Sequence, residues 1–467
     1  MHNSDRTRGV SPWLALGVLS LSMLMIILDG TIVSVAMPAL ARDLGFSPAG
    51  LSWTVDAYLV PLGGLLLVAG RVGDLIGPRR MLLAGLVVFT VASIACGAAP
   101  GTGALVAARA VQGVGAAMAS SVVLGMVVGL FDDAADRARA MGVYAFVGAA
   151  GASIGLLLGG VLTDTLGWRA IFWINAPIGL VALVASLRTL APDADRDRTA
   201  RPDVLGAVLV TAGLAAAITA IVEPAGGPWV RLALGLVALA LLAGFVRRQQ
   251  RASDPLVPLP VLRLRSVAVG NLSQALLVAG AMGYQFAAAL YLQDVLGLDP
   301  WTTGWAMLPV PLLIATVALG VAGRLIARFG ARTVLLSGAT SIAAGLVWMA
   351  LGSGYVAGVL PALVLLGVGA GQAMPAVTTA LMADASPERA GLVSGLANTS
   401  QQAGGAVGVA VVGVVAAGAG YGIAFGVAAV LVVAAAGIAT ALPGRRRVPA
   451  PAPAVRAVPD PRCSVSP

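Results

Sequence analysis

Two carboxylates and one guanidinium stand inside long apolar runs. Asp29 lies in L28-D-G-T-I-V-S-V-A-M-P38, Asp56 in the run that follows, and Arg109 in R109-A-V-Q-G-V-G-A-A117. A charged side chain at the middle of an apolar span costs about 3 kcal/mol on insertion scales, so each of the three needs a partner, water or a proton. The carboxylates can bind and release a proton. Arginine stays charged at any relevant pH, so Arg109 is a fixed positive charge able to tune a nearby acid. Residues for other chemistries are missing. His2 is the only histidine, and the two cysteines are Cys96 and Cys463, which leaves neither a histidine relay, a metal site nor a disulfide framework. No GxxxxGK[ST] phosphate loop occurs. The expectation is a protein that is not an enzyme, uses no cofactor or metal, and draws its energy from a proton gradient.

Membrane-crossing helices must hold these charges. The 467 residues are 59% hydrophobic and only 10% charged, with mean hydropathy +0.95, too few charges to coat a water-facing surface. Apolar runs of about 20 residues are read as spans. They fall near 12–37, 51–70, 81–99, 103–130, 140–162, 170–190, 204–222, 228–246, 267–293, 302–323, 331–350, 355–380, 391–417 and 421–442. That is fourteen, which puts both termini on one side. All 29 basic residues are arginine, and 25 of them fall on the terminal side, against Arg42, Arg169 and Arg231 on the other. The positive-inside rule then makes both termini cytoplasmic. The formal charge of +9 is a topology signal, with bilayer lipid rather than nucleic acid as the partner.

The loop G70-R-V-G-D-L-I-G-P-R-R-M-L-L83 matches G323-R-L-I-A-R-F-G-A-R-T-V-L-L336 at Gly70/Gly323, Arg71/Arg324, Gly77/Gly330, Arg79/Arg332, Leu82/Leu335 and Leu83/Leu336, a constant offset of 253. Two six-helix halves in parallel repeat account for it. The predicted organisation is a cytoplasmic tail over 1–11, a six-helix bundle over 12–190, two inserted helices with linkers over 191–266, a second six-helix bundle over 267–442, and a disordered cytoplasmic tail over 443–467.

On these residues the chain resembles the major facilitator superfamily, specifically its fourteen-helix drug:proton antiporter branch. The L28–P38 stretch is similar to that branch's first-helix signature, with Ser34 in place of the usual asparagine. The loop residues Gly70, Arg71, Gly73, Asp74, Gly77, Arg79 and Arg80 resemble the superfamily's cytoplasmic latch; Ala327 replaces Asp74 in the repeat copy, so the second latch is expected to be weaker. R109–A117, with Gln112, resembles the proton-transfer motif. G151-A-S-I-G-L-L-L-G-G160 resembles the antiporter motif, in which Gly151, Gly155, Gly159 and Gly160 serve close helix packing; Leu156 stands where the family has proline. W168-R-A-I-F-W-I-N-A-P-I-G179 and the stretch from Pro387 to Gly405 look like further signatures of the sixth and thirteenth helices. The resemblance implies an all-α polytopic membrane protein with the major facilitator fold of two six-helix bundles plus two inserted helices.

At about 1.5 Å per residue, Asp29 and Asp56 each lie roughly 6 Å beyond the middle of their helices, and Arg109 lies in the same half of the membrane. Three charges at one depth predict one proton-coupling site. The second half has no buried acid; its candidate cavity residues are Asn271, Gln274, Tyr284, Gln285, Met307, Gln372, Met374, Asn398 and Gln402, and Gln112 of the first half joins them. Amides, methionine and aromatics suit an amphipathic compound that is neutral or singly charged. The function this implies is proton-coupled antiport of amphipathic drugs or antibiotics out of the cell by alternating access, performed by a monomer in the cytoplasmic membrane. The same features also admit a proton-coupled metabolite transporter or a non-transporting membrane sensor.

Overall fold

The computed structural model describes residues 11–47, 50–131, 133–193, 203–222, 227–252, 255–256, 261, 263–383 and 390–442; the predicted terminal tails, apart from Ser11, and most of the first linker lie outside them. Among the described residues seventeen α-helices follow in order. The first half holds α1 (Pro12–Leu44), α2 (Trp53–Ile76), α3 (Pro78–Gly97), α4 (Thr102–Gly129), α5 (Ala134–Thr165), α6 (Ala170–Trp173) and α7 (Asn175–Thr189). Next come α8 (Val204–Val222) and α9 (Gly227–Arg251). The second half holds α10 (Arg265–Leu290), α11 (Pro300–Met307), α12 (Pro309–Val317), α13 (Gly323–Phe329), α14 (Ala331–Leu351), α15 (Leu360–Met382), α16 (Ala390–Ala419) and α17 (Tyr421–Ala439).

Twelve of the described spans are long and apolar enough to cross a membrane. Among them α6–α7 act as one span, and so do α11–α13 with the π-helical turn Ala318–Ala322 between them. The other two predicted spans differ in form. α2 is two pieces bent by 55° between Leu66 and Val68, and α5 runs unbroken from Ala134 to Thr165, with an apolar stretch over Ser153–Thr165 among its described residues. Proline and glycine set many boundaries: Pro12, Pro78 and Pro300 open helices at positions where an amide has no helical partner, and Gly45 ends α1 in the left-handed conformation.

The repeat is visible in the backbone. Gly77 (φ 102°) and Gly330 (φ 87°), 253 residues apart, make the same sharp turn between consecutive helices. Glycine faces then bring helices together in matching pairs. A Cβ on Gly155 or Gly159 of α5 would run into Thr31 or Ile32 of α1, and one on Gly404 or Gly408 of α16 into the backbone of Ala275 or Ala279 of α10. Gly404 and Gly408 follow Gly151 and Gly155 by the same 253 residues, so the antiporter-motif packing has a second copy.

Each half has its own apolar core. They meet at the end of the bundle away from the termini, called the far end below. There Met37, Leu51, Phe286, Leu290 and Val409 form one buried cluster drawn from both halves. Gly160 lies against the Pro300 carbonyl and Gly304 against that of Leu156, each Cβ position 2.6 Å from the oxygen, and Gln293 donates to Val35 O at 2.8 Å. Gly160 therefore joins the halves, whereas Gly151, Gly155 and Gly159 pack within one. Leu156 is buried against the second half's core.

The inserted helices pack as a hairpin. α8 contacts both α2 and α16, and α9 lies against α8 with only 6% of its apolar window buried, a surface suited to lipid. Asp203 caps α8, accepting from Gly206 N–H at 3.1 Å, and ties it to α9 through Arg248 Nε at 3.0 Å and Gln249 Nε2 at 2.9 Å. Burial pushes its pKa up, but the hydrogen bonds from Gly206, Arg248 and Gln249 outweigh it and hold the carboxyl below its ordinary range.

Candidate functional site

Asp29 sits on α1 with no exposed surface and is surrounded by donors from two other helices, α4 and α7. Its Oδ2 accepts from Arg109 Nη1 of α4 at 2.6 Å. Its Oδ1 accepts from Gln112 Nε2 at 2.8 Å and from Asn175 Nδ2 of α7 at 2.7 Å. Arg109, 1% exposed, also donates through Nε to Thr54 O at 2.8 Å and through Nη1 to Gln112 Oε1 at 2.7 Å. Its guanidinium lies 4.4 Å from the centroid of the Tyr58 ring and 5.7 Å from that of Phe172. Gln112 completes the cage by donating to Ser93 Oγ of α3 at 2.7 Å, and its Oε1 accepts the Cys96 thiol at 3.6 Å.

Local sequence explains the assembly. Arg109 and Gln112 are three residues apart and share one face of α4. Gly113 presses against the carbonyl of Tyr58 and Gly115 against the backbone of Phe89, which draws α2 and α3 onto that face. Asn175 is the first residue of α7, where the sixth span breaks after Ile174. Such a cage neutralises a buried ion pair and satisfies its hydrogen bonds, the condition for keeping charge in an apolar span. The cage ties five helices together through Asp29 of α1, Thr54 of α2, Ser93 of α3, Arg109 and Gln112 of α4 and Asn175 of α7.

Of the three predicted charges, the structure brings Asp29 and Arg109 together and sets Asp56 apart. Asp56 is fully buried, but neither of its oxygens joins the cage or has a hydrogen-bond partner of good geometry; the hydroxyl of Ser52, one turn earlier, is its polar neighbour. Equal depth did not imply equal direction. Asn175, Ser93 and the rings of Tyr58 and Phe172 escaped the sequence reading, although Asn175 stands within the quoted W168–G179 stretch.

At the latch, Gly70 is half-buried, Gly73 packs against Val122 and Met81, and Arg71 and Asp74 are exposed. The start of α3 is capped from elsewhere: the Asp193 carboxylate accepts from the backbone N–H groups of Arg79 and Arg80, each at 3.0 Å. Gly77 makes this possible, since a Cβ there would overlap the carboxyl group. Arg79 also donates to Leu187 O at 3.0 Å, and its repeat partner Arg332 to Leu442 O at 3.4 Å.

The candidate cavity residues of the second half do not converge. Asn271 accepts from Ser400 at 2.9 Å and Gln274 donates to Gln401 at 3.2 Å, both between α10 and α16. Tyr284 is buried beside Phe425, Met307 is buried in the half's core, and Gln372 accepts from Ser337 of α14 at 2.7 Å. Gln402 faces Gly63 of α2 across the seam, while Gln285, Met374 and Asn398 are half-buried. A separate cleft of about 280 Å³ opens at the far end, with Arg42 and Phe46 on one half and Asp294 and Tyr421 on the other.

Known proteins share this architecture. The chain is 38% identical over 415 residues to the puromycin resistance protein pur8 of Streptomyces alboniger, covering 87% of this chain and 82% of that protein. It is 35% identical over 397 residues to the cephamycin export protein CmcT of Amycolatopsis lactamdurans, covering 83% and 81%. Its fold superposes on the crystal structure of the human organic anion transporter MFSD10 (TETRAN) with TM-score 0.62 at 17% identity, covering 92% of this chain and all of that one. Residues 19–409 and 272–464 match the family described as Major Facilitator Superfamily. With its paired halves, repeated turns and intramembrane ion pair, the chain belongs to the Major Facilitator Superfamily and is a multi-span membrane transporter rather than an enzyme.

Proposed function

We propose that this transporter is a proton-coupled antiporter that exports amphipathic drugs or antibiotics. The observation that carries the reading is the Asp29–Arg109–Gln112–Asn175 cage, a protonatable ion pair buried in a chain whose relatives are named for antibiotic resistance and export. In this reading the chain has fourteen spans, works as a monomer in the cytoplasmic membrane, and keeps both termini in the cytoplasm, where most of its arginines would meet anionic lipid. The far end then faces outward, and the arrangement described above is closed outward. Substrate enters between the halves from the cytoplasm and meets the polar side chains between α10 and α16. No cofactor is involved.

A proton reaching Asp29 frees Arg109 and shifts the balance between the two orientations of the halves, so proton entry and substrate exit become linked. Purified chain in liposomes tests this. An imposed pH gradient, acidic at the far end, should drive uphill movement of an amphipathic dye; Asp29→Asn should abolish that movement. Gradient-independent transport by the unaltered chain would refute proton coupling. A sensitive bacterial host expressing the chain should also gain antibiotic tolerance that is lost with the same substitution.

A further inference from the structure

Asp56 has no place in the cage, and its surroundings point to a different task. Ser52, Asp56, Leu59 and Gly63 are spaced four, three and four residues apart, which sets them on one face of α2. That face meets the other half. A Cβ on Gly413 of α16 would contact Ser52 at 3.5 Å, one on Gly405 would contact Leu59 at 3.6 Å, and one on Gly63 would contact Gln402 at 2.8 Å. Asp56 therefore lies in the seam at the level of Val409, which is itself buried with Met37, Leu51, Phe286 and Leu290.

Among the described residues, charged neighbours are absent along this face. Of the ionisable groups on helices packed against α2, Asp29 and Arg109 are bound to each other and Cys96 donates to Gln112. Arg42 and Asp43 stand on α1 beyond the cage, with Asp43 held by Arg169. Arg79 and Arg80 stand at the opposite end of α3, and α8 and α16 carry no ionisable side chain. On α2 itself Tyr58 lies under Arg109, while Arg71 and Asp74 are exposed at the latch.

We propose that Asp56 is a second proton-binding site, separate from the Asp29 cage and set in the seam between the halves, and that the far end closes only when this carboxyl carries its proton. An ionised carboxylate in the closed seam would face apolar side chains, helix backbone and the single hydroxyl of Ser52 without a counter-ion, whereas the neutral acid fits there at small cost. When α2 and α16 part, water reaches the group, it ionises, and its charge holds the seam open. Each closure thus takes up one proton from the far-side solution. The proposal rests on the proton-coupled reading above, but it can fail separately.

The test places spin labels on the full chain in lipid nanodiscs, at Ser47→Cys and Val295→Cys, exposed positions at the far end of each half, with Cys463→Ser. Native Cys96 is buried and does not label. Between roughly pH 5 and pH 9 the closed-to-open ratio should fall at least about tenfold in the otherwise unaltered chain. In Asp56→Asn, and equally in Asp56→Ser, it should stay closed with less than about a twofold change. A titration that persists in both variants, or a far end indifferent to pH in the unaltered chain, overturns the proposal. Gradient-driven transport that persists alongside either of those outcomes leaves the antiport reading standing. A seam titration abolished by Asp56→Asn in a chain whose transport ignores pH supports the proposal and removes that reading.

Discussion

The two halves share a scaffold and differ in charge. Gly113 and Gly115 of α4 pack against α2 and α3 as Gly367 and Gly369 of α15 pack against α12 and α14. On that register Arg109 and Gln112 correspond to Leu363 and Leu366. Gly151 and Gly155 meet α1 at Leu24 and Leu28, while Gly404 and Gly408 meet α10 at Ala275 and Ala279, so Asp29 corresponds to Gly280. Close glycine packing was kept in both copies and the ion pair in one. The second half closes the same space with aliphatic side chains and a bare backbone face, which needs no proton and cannot respond to one.

The sharpest way to break this comparison is to make the first half resemble the second. Arg109→Leu leaves the Asp29 carboxylate buried beside amides alone, and should cost about 3–5 kcal/mol of stability together with all transport. The double variant Asp29→Leu/Arg109→Leu should recover most of the stability and none of the transport, as read by thermal unfolding in detergent and by efflux in cells. Transport by the double variant would show that the difference between the halves is decorative.

A smaller effect sharpens the packing side. In Gly408→Ala the new methyl meets the fixed backbone of Ala279, whereas in Gly155→Ala it first meets the Thr31 hydroxyl, which can rotate away. Both should destabilise within the range of about 1–3 kcal/mol expected for overpacking, with Gly408→Ala the larger loss in thermal unfolding. Equal losses would mean that α1 is held as rigidly as α10. The smallest effect concerns the latch turns. Asp193→Ala removes the cap from α3 and should cost about 1 kcal/mol. Hydrogen exchange should quicken at the amides of Arg79 and Arg80 and stay unchanged after the matching turn at Gly330.

Much of this was legible from residue types alone. Long apolar runs marked the spans, and the rarity of charge inside them singled out Asp29 and Arg109, whose mutual attraction then brought them together. Depth could be counted along a helix, but the direction of a side chain depends on which neighbour each helix face meets; for that reason Asp56 was grouped with a cage it does not join. Asn175 and Ser93 are ordinary residues in a membrane helix, and only the convergence of helices distinguishes them. Asp193 lies in a linker with several acids, where nothing local marks one as a helix cap. The second glycine pair, Gly404 and Gly408, could have been found by carrying the 253-residue offset past the loop.

The α8–α9 hairpin has a bearing on ancestry. It touches the rest of the molecule mainly through α8, it is closed on itself by Asp203, and it contributes nothing to the cage. Because it adds two crossings, its gain or loss leaves the sidedness of everything downstream unaltered. A single genetic event could therefore insert or excise it without turning the second half upside down.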